Sequence, residues 1–338
     1  MSIKYMELFA GIGGLGEGFK RAGCECVYAN EYNKFSIMTY EANNPEIKVD
    51  NRDIRKVLPD EIPDHDILLG GFPCQSFSTI GIAYRMRKDV NKPTGFDDKK
   101  YGDLFFEVAR IAEAKKPKLI VLENVKNLKF NDDGKTLRTV VTTLRDIGYT
   151  IEHRVVNADI WVPQNRERIF IIARLGNEAF WIFPEFEMPL QPTVFRDILH
   201  SDDGMEEPEE PYTYIDEFDC LAVKPQFTLT PKTWAYNLRK VEKLGAKNGY
   251  VYKITPLDGI SRCLTSGYDK ESLIEVPGQE RPRRLTPREC SRLMGFDSLR
   301  GSEFKIPVST SRAYQQFGNA VCPPVSRVIA EDVLKLLD

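Results

Sequence analysis

The 338-residue chain is poor in metal-binding and cross-linking side chains, with only three histidines and seven cysteines. The cysteines are odd in number and scattered, which argues against a disulfide framework. The closest pair, Cys24 and Cys26, is spaced C-x-C rather than C-x-x-C. With so few histidines, no metal site is expected. No run of about 18 apolar residues occurs, and MSIKYMELFAGIGG is not a basic leader followed by an apolar stretch. A cytoplasmic protein without membrane attachment is therefore expected. There is no low-complexity tract and no internal repeat, and the glycine loop that begins at Gly11 has no G-K-[ST]. The formal net charge of -3 lacks the basic excess common in nucleic-acid binders.

What is present is an ordinary globular composition, 42% hydrophobic and 29% charged. A chain of this size buries roughly three quarters of its surface on folding. The first half alternates short apolar runs with helix-like segments. KYMELFA, CVYANEY, HDILLGGF, KLIVLENV, YTIEHRVVNA and RERIFIIARL read as strands. GGLGEGFKRAG, KFSIMTYEANN, GDLFFEVARIAEAKKP and GKTLRTVVTTLRDIG read as helices. That alternation predicts an α/β fold, a doubly wound, Rossmann-like, mostly parallel sheet, over residues 1–190. FPEFEMPLQPT reads as a linker. Residues 191–281 show weak, β-like periodicity and are expected to form a smaller, mostly β or irregular domain. Residues 282–338 hold the helix TPRECSRLMGF and two final helices, expected to return to the first domain. Charge is uneven. Positions 200–220 are acidic with no lysine or arginine, whereas 224–253 are mostly basic with Trp234, Tyr236, Tyr250 and Tyr252 interleaved. Arg281, Arg283 and Arg284 follow.

Polar clusters fall where strands end, the usual location of sites in open α/β folds. LFAGIGGLGEGF is a strand-to-helix turn whose glycines let backbone amides approach a ligand. Glu31, twenty residues after Gly11, can accept hydrogen bonds from ribose hydroxyls. Together they indicate a nucleotide-like cofactor without identifying it, and a nicotinamide or a purely structural turn remains open. Tyr32 reads as an adenine-stacking ring or a core tyrosine. In GGFPCQSFS, Cys74 reads alone as a small core residue or a nucleophile. Glu123, after KLIVL, is costly to bury without a partner or a task. Arg166 and Arg168 in QNRER alternate and should point to one face of an extended segment.

Taken in order, F-x-G-x-G-G (Phe9–Gly14), P-C-Q (Pro73–Gln75), E-N-V (Glu123–Val125), Q-x-R-x-R (Gln164–Arg168), R-x-x-x-x-x-E in RRLTPRECSRLMGF and G-N in QFGNAV resemble the cytosine-5 DNA methyltransferases of the bacterial restriction-modification type. The resemblance spans nearly the whole chain and implies a Rossmann-like methyltransferase domain with a variable target-recognition domain at 191–281. It implies that Cys74 adds to carbon 6 of a flipped cytosine, that Glu123 holds ring nitrogen 3 as a carboxyl with a raised pKa, and that Arg166 and Arg168 position base and cysteine. It implies S-adenosylmethionine as cofactor, lined by Phe9, Gly11, Gly13, Gly14, Glu31, Tyr32, Asp53, Ile54, Leu104 and Asn319. Double-stranded DNA with a short target is the implied partner. Its expected contacts are Gln75, Ser78, Arg85, Arg87, Lys88, Trp234, Arg239, Arg262 and Thr265, and residues 76–103 are expected to act as a lid. A monomer is expected, and a cognate restriction endonuclease encoded alongside is an expected second partner. A tRNA-methylating branch and an inert DNA-binding relative are the alternatives. A zinc deaminase would need P-C-x-x-C with H-x-E, and position 77 is Phe.

Overall fold

The computed structural model describes residues 2–73, 104–180, 191–245, 252–267, 272–276 and 278–337. By its internal contacts the chain divides into two units. Unit 1 comprises 1–157, 167–186 and 323–338, and unit 2 comprises 158–166 and 187–322. The division cuts across the expected third segment, since residues 282–322 fall in unit 2 and only 323–338 in unit 1.

Unit 1 is built on a six-stranded sheet. Its strands are β1 (Lys4–Leu8), β2 (Glu25–Asn30), β3 (Ile67–Gly70), β4 (Leu119–Val125), β5 (Tyr149–Asn157) and β7 (Glu167–Leu175), in the order β2-β1-β3-β4-β7-β5. The first four run parallel, and β7 is antiparallel to both β4 and β5. The nine residues between β5 and β7 are too few for a parallel crossover, which needs a dozen or more. The central strand β3, ILLG, is apolar and buried throughout, as a strand covered on both faces must be. Helices α1 (Gly14–Arg21), α2 (Lys34–Asn43), α3 (Leu104–Lys115) and α4 (Lys135–Asp146) connect the strands. Leu137, Val140 and Leu144 give α4 its buried stripe at helical spacing.

The final helix α8 (Pro323–Leu334) packs on α1. The Ser326 hydroxyl donates to the Leu15 carbonyl at 2.5 Å. A Cβ on Gly18 would stand 2.4 Å from Ser326 Cβ and the Arg327 nitrogen, so only glycine permits this approach.

Unit 2 is less regular. It contains the hairpin β8 (Thr213–Ile215) with β9 (Leu221–Val223), and two short parallel pairs. These are β6 (Gln164–Asn165) with β11 (Ser261–Arg262), and β10 (Lys253–Ile254) with β12 (Ser272–Leu273). Its helices are α5 (Pro231–Leu244), α6 (Pro287–Met294) and α7 (Thr310–Asn319). The fourteen-residue α5 replaces the β-like reading of that stretch. Thr230 caps it by accepting from the Thr233 amide at 3.2 Å, and Pro231 supplies its first turn without needing a donor. Of the two final helices, only α8 belongs with unit 1, because the chain straightens at Ala320 before the Pro323–Pro324 pair. Among the described residues no helix is long and apolar enough to cross a membrane.

Candidate active site

In unit 1, the turn after β1 is held by left-handed backbone at Phe9 (φ 56°), Gly11 (φ 59°) and Gly13 (φ 87°). A Cβ on Gly13 would touch the Tyr40 ring at 3.0 Å, while nothing lies within 4 Å of one on Gly11. The Gly11 amide donates to Glu31 Oε2 at 2.8 Å, and the Asn33 amide to Oε1 at 2.7 Å. Burial raises the Glu31 pKa, against the opposing bonds from the Asn33, Gly11 and Tyr32 amides. A carboxylate offers about four lone-pair sites, so with three amides bound about one remains for a hydroxyl. Tyr32 is 76% exposed, which overturns its reading as a core side chain and leaves an open ring beside that carboxylate. The open space over Gly11, the remaining acceptor site of Glu31 and the exposed ring of Tyr32 fit a nucleoside-bearing cofactor.

Asp53 caps the single turn Ile54–Lys56 and grips the Arg55 guanidinium, which holds its pKa below the ordinary value. Ile54 is buried in the main core of unit 1, so its side chain serves packing. Leu104 opens α3 and packs on the same core. The sequence reading missed Glu7. It is 2% exposed and accepts from the Gly16 amide at 3.0 Å, which anchors the first turn of α1 behind the glycine loop. Burial pushes its carboxyl up to about 8, offset by the Gly16 and Tyr40 bonds. The signal was available, because a glutamate inside the apolar run YMELF has no solvent to turn to.

Glu123 lies near the end of β4 and is nearly buried. Arg168, on the adjacent strand β7, places Nε 3.1 Å from Glu123 Oε1. The other oxygen, Oε2, lies 3.6 Å from where a Cβ would stand on Gly71. Glycine at that position keeps the space beside the carboxyl open. Asn124 turns the other way and donates to the Phe72 carbonyl at 3.0 Å, tying β4 to the chain just before Cys74.

Arg166 donates to three backbone carbonyls. Arg166 is 2% exposed within unit 2. Its Nη1 donates to the Leu264 carbonyl at 2.9 Å. Its Nη2 donates to the Gly318 and Ala320 carbonyls at 3.0 and 2.6 Å. Those two carbonyls flank Asn319, which is exposed at the end of α7. The buried Gln164 works in parallel, accepting from the Leu264 amide at 2.9 Å. A Cβ on Gly318 would meet the Thr265 backbone at 2.2 Å, so that glycine lets the two segments touch. One arginine and one glutamine thus join QNR, CLT and GNA. Thr265 and Arg262 are partly buried, and burial lowers the Arg262 pKa. Trp234 is half-buried with its ring 4.9 Å from Tyr252, and Arg239 is exposed. Cys74, Gln75, Ser78, Arg85, Arg87 and Lys88 lie outside the described residues. Among the described residues no cluster of three or more His, Cys, Asp or Glu is placed to hold a metal ion.

The sequence pattern of the family described as C-5 cytosine-specific DNA methylase matches residues 3–335. The chain is 39% identical to the Type II methyltransferase M.NlaX of Neisseria lactamica, over 98% of this chain and 96% of that protein. It is 35% identical to the DNA-cytosine methyltransferase of Escherichia coli K12, over 98% of this chain and 77% of that one. In fold it matches the Entamoeba histolytica methyltransferase EhMeth with a TM-score of 0.71 at 19% identity, covering 100% of this chain and 99% of that one. These full-length matches agree with a Rossmann-like sheet that carries a glycine turn and a glutamate at its strand ends, and the chain belongs to the C-5 cytosine-specific DNA methylases.

Proposed function

We propose that the protein methylates carbon 5 of a cytosine within a short duplex DNA target, with S-adenosylmethionine as methyl donor. The observation that carries this reading is the Glu123–Arg168 pair at the end of β4, beside β3, whose last residue Gly70 precedes Cys74 of P-C-Q by four residues. Arg168 holds one carboxyl oxygen, and the other lies on the side of Gly71. A carboxyl so held can bind cytosine nitrogen 3 and supply a proton there as the ring is attacked.

Carbon 5 of cytosine is a weak nucleophile. The Cys74 thiolate forms a bond to carbon 6, and the ring electrons move to carbon 5. Carbon 5 is then the nucleophile for the methyl that a bound sulfonium would supply, with the neutral thioether as leaving group. Loss of the carbon 5 proton to water and cleavage of the Cys74–carbon 6 bond restore the aromatic ring and the thiolate. Bound S-adenosylmethionine supplies only the electrophilic methyl. Glu31 and Tyr32 would hold its nucleoside, with Glu7 positioning the glycine turn from behind. Arg166 acts as a positioning residue, since it holds the carbonyls on either side of Asn319. A base in a stacked duplex is out of reach of such a thiol, so the target nucleotide is flipped out. The protein works as a monomer in the cytoplasm, beside a restriction endonuclease that cleaves the unmodified site.

The test uses tritiated S-adenosylmethionine with duplex DNA and tRNA offered together. Transfer to DNA is expected, with Glu123→Gln and Arg168→Ala each lowering kcat by about 100-fold or more. Transfer to tRNA alone would move the protein to an RNA-modifying role.

A further inference from the structure

Behind the glycine turn of unit 1 lies a buried polar cluster centred on Glu7 of β1. Gly16 is held through both of its backbone polar atoms. Its amide donates to Glu7 Oε1 at 3.0 Å, and its carbonyl accepts from the Tyr5 hydroxyl at 3.1 Å. A Cβ on Gly16 would stand 2.4 Å from Glu7 Oε2, so the first turn of α1 rests directly on the carboxyl. Tyr40 of α2 completes the support. Its ring would stand 3.0 Å from a Cβ on Gly13, and its hydroxyl lies 3.5 Å from Glu7 Oε2. That hydroxyl lies in turn 3.7 Å from Cys26 Sγ, whose thiol donates to the Tyr28 carbonyl at 3.7 Å. Gly13 and Gly16 thus both rest on the Glu7–Tyr40 pair.

The charged groups that bear on Glu7 are the carboxyls of Glu31 and Glu17, and both oppose its ionisation. Burial keeps the phenols of Tyr5 and Tyr40 protonated and pushes the Cys26 thiol up to about 11, so none of the three titrates near neutrality. A buried carboxylate with no cation beside it is costly, whereas a buried carboxylic acid needs only ordinary hydrogen bonds. The neutral acid fits this site. With the proton on Oε2, Oε1 still accepts from Gly16, Oε2 donates to the Tyr40 oxygen, and the phenol's own proton turns to Cys26. Burial pushes the carboxyl up to about 8, so the proton stays at neutral pH and leaves in mild alkali. An ionised Glu7 calls for water, and Gly16 covers Oε2. Admitting water lifts the first turn of α1, and with it the backbone of Gly13 and Gly14.

We propose that Glu7, as a neutral acid, is a positioning residue for S-adenosylmethionine, and that loss of its proton unseats the glycine turn and weakens cofactor binding. This rests on S-adenosylmethionine being the cofactor of this turn. One proton is then linked to binding, so affinity falls by at most about tenfold per pH unit once the free protein has lost it.

The experiment is calorimetric binding of S-adenosylmethionine to the full chain without DNA, at pH 7 and at pH 9. For the wild type, Kd should rise about tenfold between the two. Glu7→Gln keeps the carbonyl and puts an N–H donor where the acid proton was, so its Kd should stay within about threefold over that range. The amino group of the cofactor titrates in the same window for both proteins and cancels in the ratio of their profiles. Glu7→Ala should bind weakly at both values. A merely structural role would not separate glutamate from glutamine by pH. A carboxylic-acid carbonyl band in the infrared spectrum, present in the wild type at pH 7 and lost by pH 9, reads the same proton directly. Equal pH profiles for wild type and Glu7→Gln, or no acid band at pH 7, would overturn this inference alone. Failure of Glu7→Gln to fold would also overturn it, because glutamine is isosteric with the neutral acid. A wild-type chain that binds no S-adenosylmethionine at any pH would overturn the proposed function itself.

Discussion

Helices α5 and α6 begin with the same tripeptide, Leu-Thr-Pro, and end in opposite environments. Leu229 and Leu285 are both buried, and Thr230 and Thr286 both accept from the amide three residues on. Every residue of α6 is buried, and none of α5 is. The start signal therefore determines that a helix forms, and the residues after it determine where the helix sits. In α6 each charged side chain finds a partner. Arg283 forks onto Glu289 with both bonds at 2.7 Å. Arg288 bridges Glu209 and Asp297. Arg292 binds Glu206 at 2.8 Å and the Gly301 carbonyl at 3.0 Å. In α5 Lys232, Arg239 and Lys243 are exposed instead.

The sharpest way to break this contrast is to remove one member of the α6 network. Glu289→Ala leaves Arg283 buried and uncompensated and should cost about 3–5 kcal/mol in denaturant unfolding. Acid should act next and on the same helix. Burial works to raise the Glu289 carboxyl, but the Arg283 charge and bonds outweigh it and hold the pKa to about 2. Glu206 is held to about 2 against burial by His200 and Arg292. Both folded values lie below the unfolded ones, so the stability they contribute is present above about pH 4.5 and is lost as pH falls toward 2. A melting series over that window should show the decline in wild type and a shallower one in Glu289→Gln. The caps give smaller effects. Thr286→Ala should cost about 2 kcal/mol, because His200 Nε2 also lies 2.9 Å from that hydroxyl, and Thr230→Ala about 1 kcal/mol or less. Smallest of all, Leu238→Lys on α5 should stay within about 0.5 kcal/mol of wild type. A larger loss would show that the exposed face is packed in solution.

Much of the site was legible because it is local. Glu31 and Glu123 stand at the ends of apolar strands, where a carboxylate is conspicuous, and all the strands of the main sheet follow their apolar runs. Arg166 was legible as a motif residue but not in its contacts. Its partners lie 98, 152 and 154 residues away, and no periodicity reports such distances. Helix α5 was missed although Thr230–Pro231 announces it, because the strands around it are only two or three residues long and the stretch was read as one β-like region. The last two helices read as one returning pair, and the packing of Gly18 against Ser326 and the Ser326–Leu15 bond mark α8 as the partner of α1.

The most direct test of the account is bisulfite sequencing of duplex DNA after incubation with S-adenosylmethionine and either wild-type protein or Cys74→Ser. The account predicts methyl on carbon 5 of cytosines in one short motif with wild type, and none with the variant. Methylation by Cys74→Ser at the wild-type rate would contradict it, since carbon 5 would then react without the thiol.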